Sequence, residues 1–270
     1  MAATISALNI YPVKGLKGIA LDAARVTARG LENDRRWMVV GRDGVFLSQR
    51  GIPRMATVWT ELDGSALRLS APDRDEIAIP IGEAGEPMTV QVWKSTCAAL
   101  AVSPDADAWL SDYLSVDCRI VYMPESTRRE SNPQYAPPGS LVGFADGYAC
   151  HAFSDASLAD LNARLASKGH PAVPVNRFRP NIVIGGAEPY MEDGWTEVAI
   201  GGAEFRATKP CGRCQVPTID QAIGEVTGSE PTETLATYRE SSEFGITFGM
   251  NWAVMKPGAI RVGDAVRVLD

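Results

Sequence analysis

The sequence predicts a β-rich α+β protein, and three observations support this prediction. Short apolar segments recur along the chain, turn residues separate them, and few segments show helical spacing. Strands spaced in this way favour an antiparallel barrel or sandwich over a parallel sheet. The 270 residues leave room for one large domain or for two domains of ordinary size.

The N-terminal third contains the clearest strand signals. An apolar segment begins at Ile5 and ends at Pro12, where a central strand cannot continue. Asp43-Gly44 and Asp63-Gly64 each separate two apolar runs, which is the sequence pattern of a β-hairpin. The predicted strands of this part cover residues 37–40, 45–47, 58–62, 67–69, 88–93 and 98–102.

Three helices are predicted in the remainder of the chain. Ser103 before Pro104 is typical of a helix start, since serine caps the helix and proline fits its first turn. Ser154 begins a second helix, whose leucines recur at helical spacing as far as Gly169. A third helix covers about 232–240. The strands predicted around these helices cover residues 181–184, 197–200, 204–207 and 259–269.

The composition excludes several classes of protein. Hydrophobic residues make up 45% and charged residues 22%, which is globular composition and argues against disorder. The formal charge of −7 argues against a nucleic-acid or anionic-membrane partner. No segment approaches the roughly 20 apolar residues of a spanning helix, and the N-terminus lacks the pattern of a signal peptide. We therefore expect a soluble, cytoplasmic protein.

The five cysteines do not form a disulfide framework, because their number is odd and their spacing is wide. Cys97, Cys118 and Cys150 lie singly among apolar residues, and we expect them to be buried, reduced thiols. Only Cys211 and Cys214 are spaced for joint chemistry.

Three interpretations of the Cys211–Cys214 pair remain open from the residues alone. The first is that the pair forms half of a zinc site, although the chain has no second pair of this kind. The second is a thioredoxin-like redox pair, although the β-branched residues after Cys214 are poor helix formers. Alternatively, a single thiolate binds a soft metal and is supported by the cations Lys209 and Arg213.

Several basic clusters are local exceptions in an acidic chain. Arginines alternate at Arg177 and Arg179, glycines follow lysines at 14–18, and Arg35-Arg36 precedes a strand. Taken singly, each is explained by surface ion pairs or by turn chemistry. The polar, proline-bearing stretch 124–140 is expected to bury little, as a linker or as a mobile loop near a site.

Taken in order, these motifs resemble one protein family. The motifs are Tyr11-Pro-Val-Lys-Gly15, Asp34-Arg-Arg-Trp37, Phe144-Ala-Asp-Gly-Tyr148, Arg177-Phe-Arg-Pro-Asn181 and Lys209-Pro-Cys-Gly-Arg-Cys214. They resemble the MOSC proteins that carry an N-terminal β-barrel domain, a group that includes mitochondrial amidoxime-reducing components and YcbX-like bacterial proteins. The resemblance implies an N-terminal β-barrel domain over 1–121 and a mixed α/β MOSC domain with a β-barrel core over 122–270.

The resemblance also implies a cofactor and its contacts. Members of this group bind a molybdenum cofactor through one pterin dithiolene and one protein cysteine. The matching cysteine is Cys214, which is therefore the predicted metal ligand and catalytic residue, with Cys211 beside it. The implied cofactor contacts are Lys14, Gly15, Arg35, Asp146, Gly147, Tyr148, Arg179, Asn181, Gly212, Arg213 and Asn251. A family-level association with pyridoxal phosphate also accompanies the resemblance, and we assign no residue to it.

The implied activity is the reduction of small N-hydroxylated compounds such as amidoximes, hydroxylaminopurines and hydroxamic acids. No cysteines remain for the iron–sulfur domain that YcbX-like proteins can carry, so we expect electrons from a separate flavin, iron–sulfur or cytochrome protein. The alternatives are a cofactor carrier or sulfur-handling protein, and a thiol oxidoreductase that uses Cys211 and Cys214. One departure from the family, Pro217-Thr218, is expected to alter the floor of the pocket.

Overall fold

Strands dominate the computed structural model, which describes residues 2–82 and 84–269. Within these ranges the strands are β1 Thr4–Ile10, β2 Val13–Lys14, β3 Ile19–Leu21, β4 Ala23–Thr27, β5 Gly30–Leu31, β6 Trp37–Gly41, β7 Trp59–Leu62, β8 Ala66–Ala71, β9 Arg74–Pro80, β10 Glu86–Val92, β11 Ser95–Ala101, β12 Cys118–Tyr122, β13 Cys150–Ser154, β14 Ile182–Gly185, β15 Glu197–Ile200, β16 Ala203–Gly212, β17 Ile219–Asp220, β18 Glu225–Val226, β19 Glu240–Ser241, β20 Gly245–Lys256, β21 Gly258–Arg261 and β22 Val266–Leu269. The predicted β-rich α+β class is confirmed.

Two of the predicted helices are confirmed together with their caps. Ser103 Oγ accepts the Ala106 N–H at 3.2 Å, and Ser154 Oγ accepts the Ser157 N–H at 3.0 Å. The third helix is shorter than predicted, because residues 240–241 pair with β20 as a strand. The helices are α1 Pro104–Leu114, α2 Asp155–Ser167 and α3 Thr232–Ala236, with 3-10 turns at Pro53–Thr57, Val175–Arg177, Met191–Gly194 and Val216–Thr218.

The predicted hairpins form where the turn residues place them. Asp63 and Gly64 lie in the turn that joins β7 to β8. A two-residue turn at 93–94, which was not predicted, joins β10 to β11. After Asp43-Gly44 the chain returns to pair Phe46 with Val40 in a single bridge. The local turn chemistry therefore sets the register of the N-terminal strands, as expected for short loops.

The largest sheet combines strands from both ends of the chain. In the described residues it has nine strands in the order β22-β15-β16-β20-β13-β14-β1-β3, with β19 added on β20. All its pairs are antiparallel except β13 with β14. Its buried apolar side chains, which include Ile5, Phe205 and Trp252, form one core. The predicted domain boundary between residues 121 and 122 remains a prediction.

Smaller sheets complete the N-terminal half. One has the order β10-β11-β12-β6-β2, a second β7-β8-β9, and a third β21-β4-β5. Helix α1 packs on β12 and β9 and covers a core that includes Trp37, Leu69 and Leu110. The loops at the ends of β2 and β6 and the β10–β11 turn supply one side of the cleft described below.

The stretch 124–140 is packed more tightly than its composition predicts. Thr127, Arg129, Ser131 and Ala136 are buried, although exposed residues outnumber buried ones in this stretch, so the expectation that it buries little was wrong at these residues. The reason is hydrogen bonding: Thr127 Oγ1 donates to the Ala98 carbonyl at 2.9 Å, and Arg129 donates to three carbonyls. Polar side chains can be buried when such partners satisfy them.

The three isolated cysteines behave as predicted. Cys97, Cys118 and Cys150 are buried and free. Burial raises the pKa of Cys150 to about 12, so this thiol is protonated and inert at neutral pH.

Candidate functional site

All twelve predicted site residues line one cleft between the N-terminal and C-terminal halves. Its empty space is about 950 Å³, part of which is continuous with solvent. Loops of the N-terminal half supply Lys14, Gly15 and Arg35. The C-terminal half supplies Asp146, Gly147, Tyr148, Arg179, Asn181, Gly212, Arg213, Cys214 and Asn251. The structure brings these residues together, and the role of each remains a prediction.

An ion pair joins the two halves at one end of the cleft. The buried Lys14 ammonium, at the end of β2, donates to Asp146 Oδ1. The same oxygen accepts the indole N–H of Trp93 at 3.0 Å. Desolvation raises the pKa of Asp146, but the charges of Lys14 and Arg35 and the hydrogen bonds from Lys14 and Trp93 together outweigh it, and the pKa lies well below its usual range. The carboxylate is therefore ionised at neutral pH.

Arg129 fixes the turn that carries Asp146. Its Nη1 donates to the carbonyls of Gly143 and Ala145, both at 2.6 Å, and its Nη2 donates to the Asp146 carbonyl at 2.9 Å. A guanidinium can satisfy several carbonyls at once because its donors lie in a fixed plane. Arg129 therefore positions the 143–146 segment from behind.

A second network holds Arg35 in place. Its Nη1 donates to Asp34 Oδ2 at 2.6 Å and to Asn181 Oδ1 at 2.9 Å, and its Nη2 donates to the Arg179 carbonyl at 3.2 Å. Asn181 also accepts the His151 N–H at 3.1 Å and donates to the Asn9 carbonyl at 3.1 Å. The Asn181 amide thus links β1, β13 and Arg35.

Arg179 presents an unsatisfied donor in the cleft. Its Nη2 is buried and has no hydrogen-bond partner among residues 2–82 and 84–269. Its guanidinium stacks on Tyr11, 4.2 Å from the ring centroid, and burial lowers its pKa to about 10. In contrast, Arg177 points away from the cleft and donates to Asp220 at 3.0 Å. A buried, charged donor of this kind fits an anionic ligand.

The two neighbouring cysteines differ in their surroundings. Cys211 lies within β16, and its Sγ accepts a hydrogen bond from Arg213 Nη1 at 3.0 Å. Cys214 follows the end of β16 and is exposed to the cleft. Cys211 does not begin a helix, so the helix-terminal arrangement of a thioredoxin-like pair is not formed.

The remaining predicted residues shape the walls. A Cβ added at Gly212 would lie 2.7 Å from the Phe244 carbonyl oxygen, so only glycine fits there. Asn251 Nδ2 donates to the carbonyls of Lys209 at 3.3 Å and Pro210 at 3.4 Å, which ties β20 to β16. Gly147 and Tyr148 follow Asp146 at the open side.

Comparison with protein families identifies the fold. The model described as the MOSC N-terminal beta barrel domain matches residues 2–117, and the model described as the MOSC domain matches residues 140–267. The chain belongs to the MOSC family. Its architecture is therefore an N-terminal MOSC β-barrel domain followed by a MOSC domain.

Curated relatives of this MOSC protein match along nearly the whole chain. The human mitochondrial amidoxime-reducing component 1 is 35% identical over 286 residues, which cover 98% of this chain and 83% of that protein. The mouse mitochondrial amidoxime-reducing component 1 is 34% identical, and the alignment covers 98% of this chain and 82% of that protein. The bovine mitochondrial amidoxime reducing component 2 is 33% identical over 280 residues, which cover 97% and 82%.

Sequence reasoning missed several lining residues of the MOSC cleft. They are Phe46, Ser48, Gln49, Arg50, Trp93, Ala145, Cys150, His151, Phe178, Cys211 and Val216. Of these, Cys211 was named as the neighbour of Cys214 but was not predicted to line the cleft. Arg50 follows a predicted strand and Trp93 ends one, although the structure places Trp93 in the turn after β10. No local pattern marks either residue, because only tertiary folding brings them to the cleft. Pro217 and Thr218 are both buried and lie outside the lining, which the adjacent Val216 reaches, so their effect on the floor of the pocket stays a prediction.

His151 is the one imidazole in the lining among the described residues. Burial and the nearby Arg213 lower its pKa to about 3. Its Nε2 lies 3.1 Å from the Phe248 carbonyl oxygen, to which the neutral ring donates. His151 is therefore uncharged at neutral pH.

Across the described ranges, every helix is too short or too polar to cross a membrane.

Proposed function

We propose that this MOSC protein binds a molybdenum cofactor in the cleft and reduces small N-hydroxylated compounds with electrons from a separate protein. The relatives named amidoxime-reducing components support this assignment. The structural observation that carries it is the exposed Cys214 thiol in the same cleft as the unsatisfied Arg179 donor.

The donor set of the cleft fits such a cofactor. A thiolate is the ligand that soft and high-valent metals select, and Cys214 is accessible for that role. No group of three His, Cys, Asp or Glu side chains suited to a metal ion occurs within the described ranges. A metal at Cys214 must therefore bring its other ligands with it, as a metal held by a dithiolene does.

The basic residues fit the anionic part of the cofactor. Lys14, Arg35, Arg179 and Arg213 would neutralise its phosphate, and the Arg179 Nη2 donor would gain the partner it lacks. At Gly147 the absence of a side chain leaves open space beside the backbone, which a ligand could approach. When bound, molybdenum supplies two-electron redox chemistry at the substrate N–O bond.

The balanced reaction sets what the chain must provide. An amidoxime takes up two electrons and two protons, its N–O bond breaks, and it leaves as the amidine with one molecule of water. The electrons come from a partner of the flavin, iron–sulfur or cytochrome type. His151, with a pKa of about 3, has no proton to give at neutral pH, so protons enter from solvent through the open side.

Metal analysis of matched variants tests the proposal. Wild-type protein, Cys214→Ala and Cys211→Ala are produced in a host that makes the cofactor. Molybdenum content, pterin fluorescence and reduction of benzamidoxime by a chemical reductant are then measured. We expect Cys214→Ala to lose the metal and Cys211→Ala to retain it.

Three outcomes would contradict the proposal in different ways. Full molybdenum occupancy in Cys214→Ala would refute the ligand assignment. Bound metal without turnover of benzamidoxime in the wild type would instead support a cofactor carrier. Equal need for both cysteines in protein without metal would support a thiol oxidoreductase.

A further inference from the structure

Arg50 is a cation in the cleft with no assigned partner. Its guanidinium makes no hydrogen bond and no ion pair with any residue that the structure describes. It is half-buried and lies 4.1 Å from the centroid of the Trp93 ring, a cation–π distance. The stacking leaves the edge of the guanidinium, where its N–H donors lie, free to bind a ligand.

Trp93 holds Arg50 through an unusual backbone position. It occupies the first place of the two-residue turn between β10 and β11, with φ at 56°. Glycine is the usual residue where such a turn needs positive φ, and a bulky side chain there is strained. The indole is fixed by its hydrogen bond to Asp146 and by Phe46, whose ring centroid lies 5.0 Å away. Strain held by side-chain contacts in a cleft points to a functional position.

The neighbouring cations are already engaged. Lys14 pairs with Asp146, and Arg35 pairs with Asp34. Arg213 donates to the Cys211 sulfur and to the Phe178 carbonyl. Arg179 Nη2 and Arg213 Nε retain free donors, and the proposed function assigns both residues to the cofactor. Arg50 is therefore the cation left to meet the substrate.

We infer that Arg50, held by Trp93, is a specificity-determining residue that binds a carboxylate on the N-hydroxylated substrate; this inference rests on the proposed function. A guanidinium fork matches the two oxygens of a carboxylate in bidentate fashion. A single unpaired cation balances the single charge of a carboxylate, whereas a phosphate carries close to two charges. Acidic N-hydroxylated compounds are therefore the preferred substrate class.

A pair of substrates that differ only in charge tests this inference. The ratio of kcat/KM for 4-carboxybenzamidoxime to that for benzamidoxime is measured on holoenzyme, per bound molybdenum. One bidentate ion pair contributes about a tenfold preference for the acid in the wild type. Arg50→Gln is expected to lower the ratio to about one, mainly through KM, and Trp93→Leu to lower it in part.

Arg54 provides the matched control. It stacks on Tyr113 at 4.2 Å and lies outside the cleft lining, so Arg54→Gln should keep the wild-type ratio. An unchanged ratio in Arg50→Gln would overturn the inference. A loss of molybdenum in Arg50→Gln would also overturn it, since Arg50 would then hold the cofactor.

A binding measurement separates this inference from the proposed function. The products 4-carboxybenzamidine and benzamidine are titrated into holoenzyme by calorimetry. If the wild type reduces neither substrate, the proposed function fails. A tenfold tighter binding of the acidic product, lost in Arg50→Gln, would still support the carboxylate site, and equal binding of both products would refute it.

Discussion

Arg129 offers the sharpest test of how the scaffold supports the cleft. Its side chain is 6% exposed and donates to the carbonyls of Gly143, Ala145 and Asp146. Arg129→Met keeps an unbranched stem but removes all three donated hydrogen bonds. The 143–146 segment then loses its support, and Asp146 is no longer held toward Lys14.

The expected magnitude follows from the hydrogen bonds lost. A buried carbonyl without a donor costs about 1–3 kcal/mol, so three at the lower end destabilise the fold by about 3 kcal/mol. For a protein of this size, that loss lowers Tm by about 6–12 °C. Arg129→Lys should lie between wild type and Arg129→Met, because one ammonium cannot reach three carbonyls in the same plane.

Thermal unfolding of cofactor-free protein and molybdenum content after loading are the two assays. Arg128→Met is the control, because that side chain is 65% exposed and its ion pair with Glu130 spans 3.3 Å. Such a surface change stays within about 0.5 kcal/mol of wild type. The reasoning is refuted if Arg129→Met and Arg128→Met show the same Tm and the same metal content.

Three further predictions concern the cleft and the residues packed against it. Gly249 has φ at +73°, and a Cβ added there would lie 2.6 Å from His151 Nε2. The left-handed backbone alone should make Gly249→Ala about 1–3 kcal/mol less stable than wild type in urea unfolding, and equal stability would contradict this. Because the His151 pKa falls from 6.5 to about 3 on folding, the unfolded state binds more protons between these values. Stability should therefore decrease by up to about 1.4 kcal/mol per pH unit as pH falls below 6.5, and His151→Gln, followed by urea unfolding from pH 7 to 5, should lack this slope. Gln49 and Gln221 exchange hydrogen bonds at 2.9 and 3.1 Å, and Gln49 also donates to the Gly15 carbonyl. Gln49→Ala should lower the free energy of unfolding, measured in urea, by about 1–3 kcal/mol. The same substitution is also made in a Gln221→Ala background. If it costs as much there as in wild type, the two glutamines are not coupled.

The parts of the fold that the sequence predicted correctly are those with local causes. Ser103 and Ser154 cap their helices because a serine oxygen meets the first free N–H groups. Asp63-Gly64 forms its hairpin because those residues accept the turn conformation. The end of α3 was not predictable, because residues 240–241 join β20, and pairing with a distant strand overrides local propensity.

For the candidate site too, the sequence predicted the residues that local motifs mark and missed those that tertiary packing brings in. The motif order brought out Lys14, Arg35, Arg179 and Cys214, and the structure places all four in one cleft. Arg50 and the remaining walls were missed because they come from loops whose direction depends on packing. Burial of the 124–140 stretch was missed for a related reason, since hydrogen bonds to distant carbonyls compensate its polar side chains.

The pairing of the first strands with the last part of the chain has a consequence during synthesis. Val26 of β4 pairs with Gly258 of β21, and Leu8 of β1 pairs with Ile182 of β14. During synthesis, β1 and β4 emerge long before the strands that cover their edges. Contacts this distant along the chain slow folding and leave strand edges open meanwhile. The edge of β4 that β21 covers therefore stays open until β21 has left the exit tunnel.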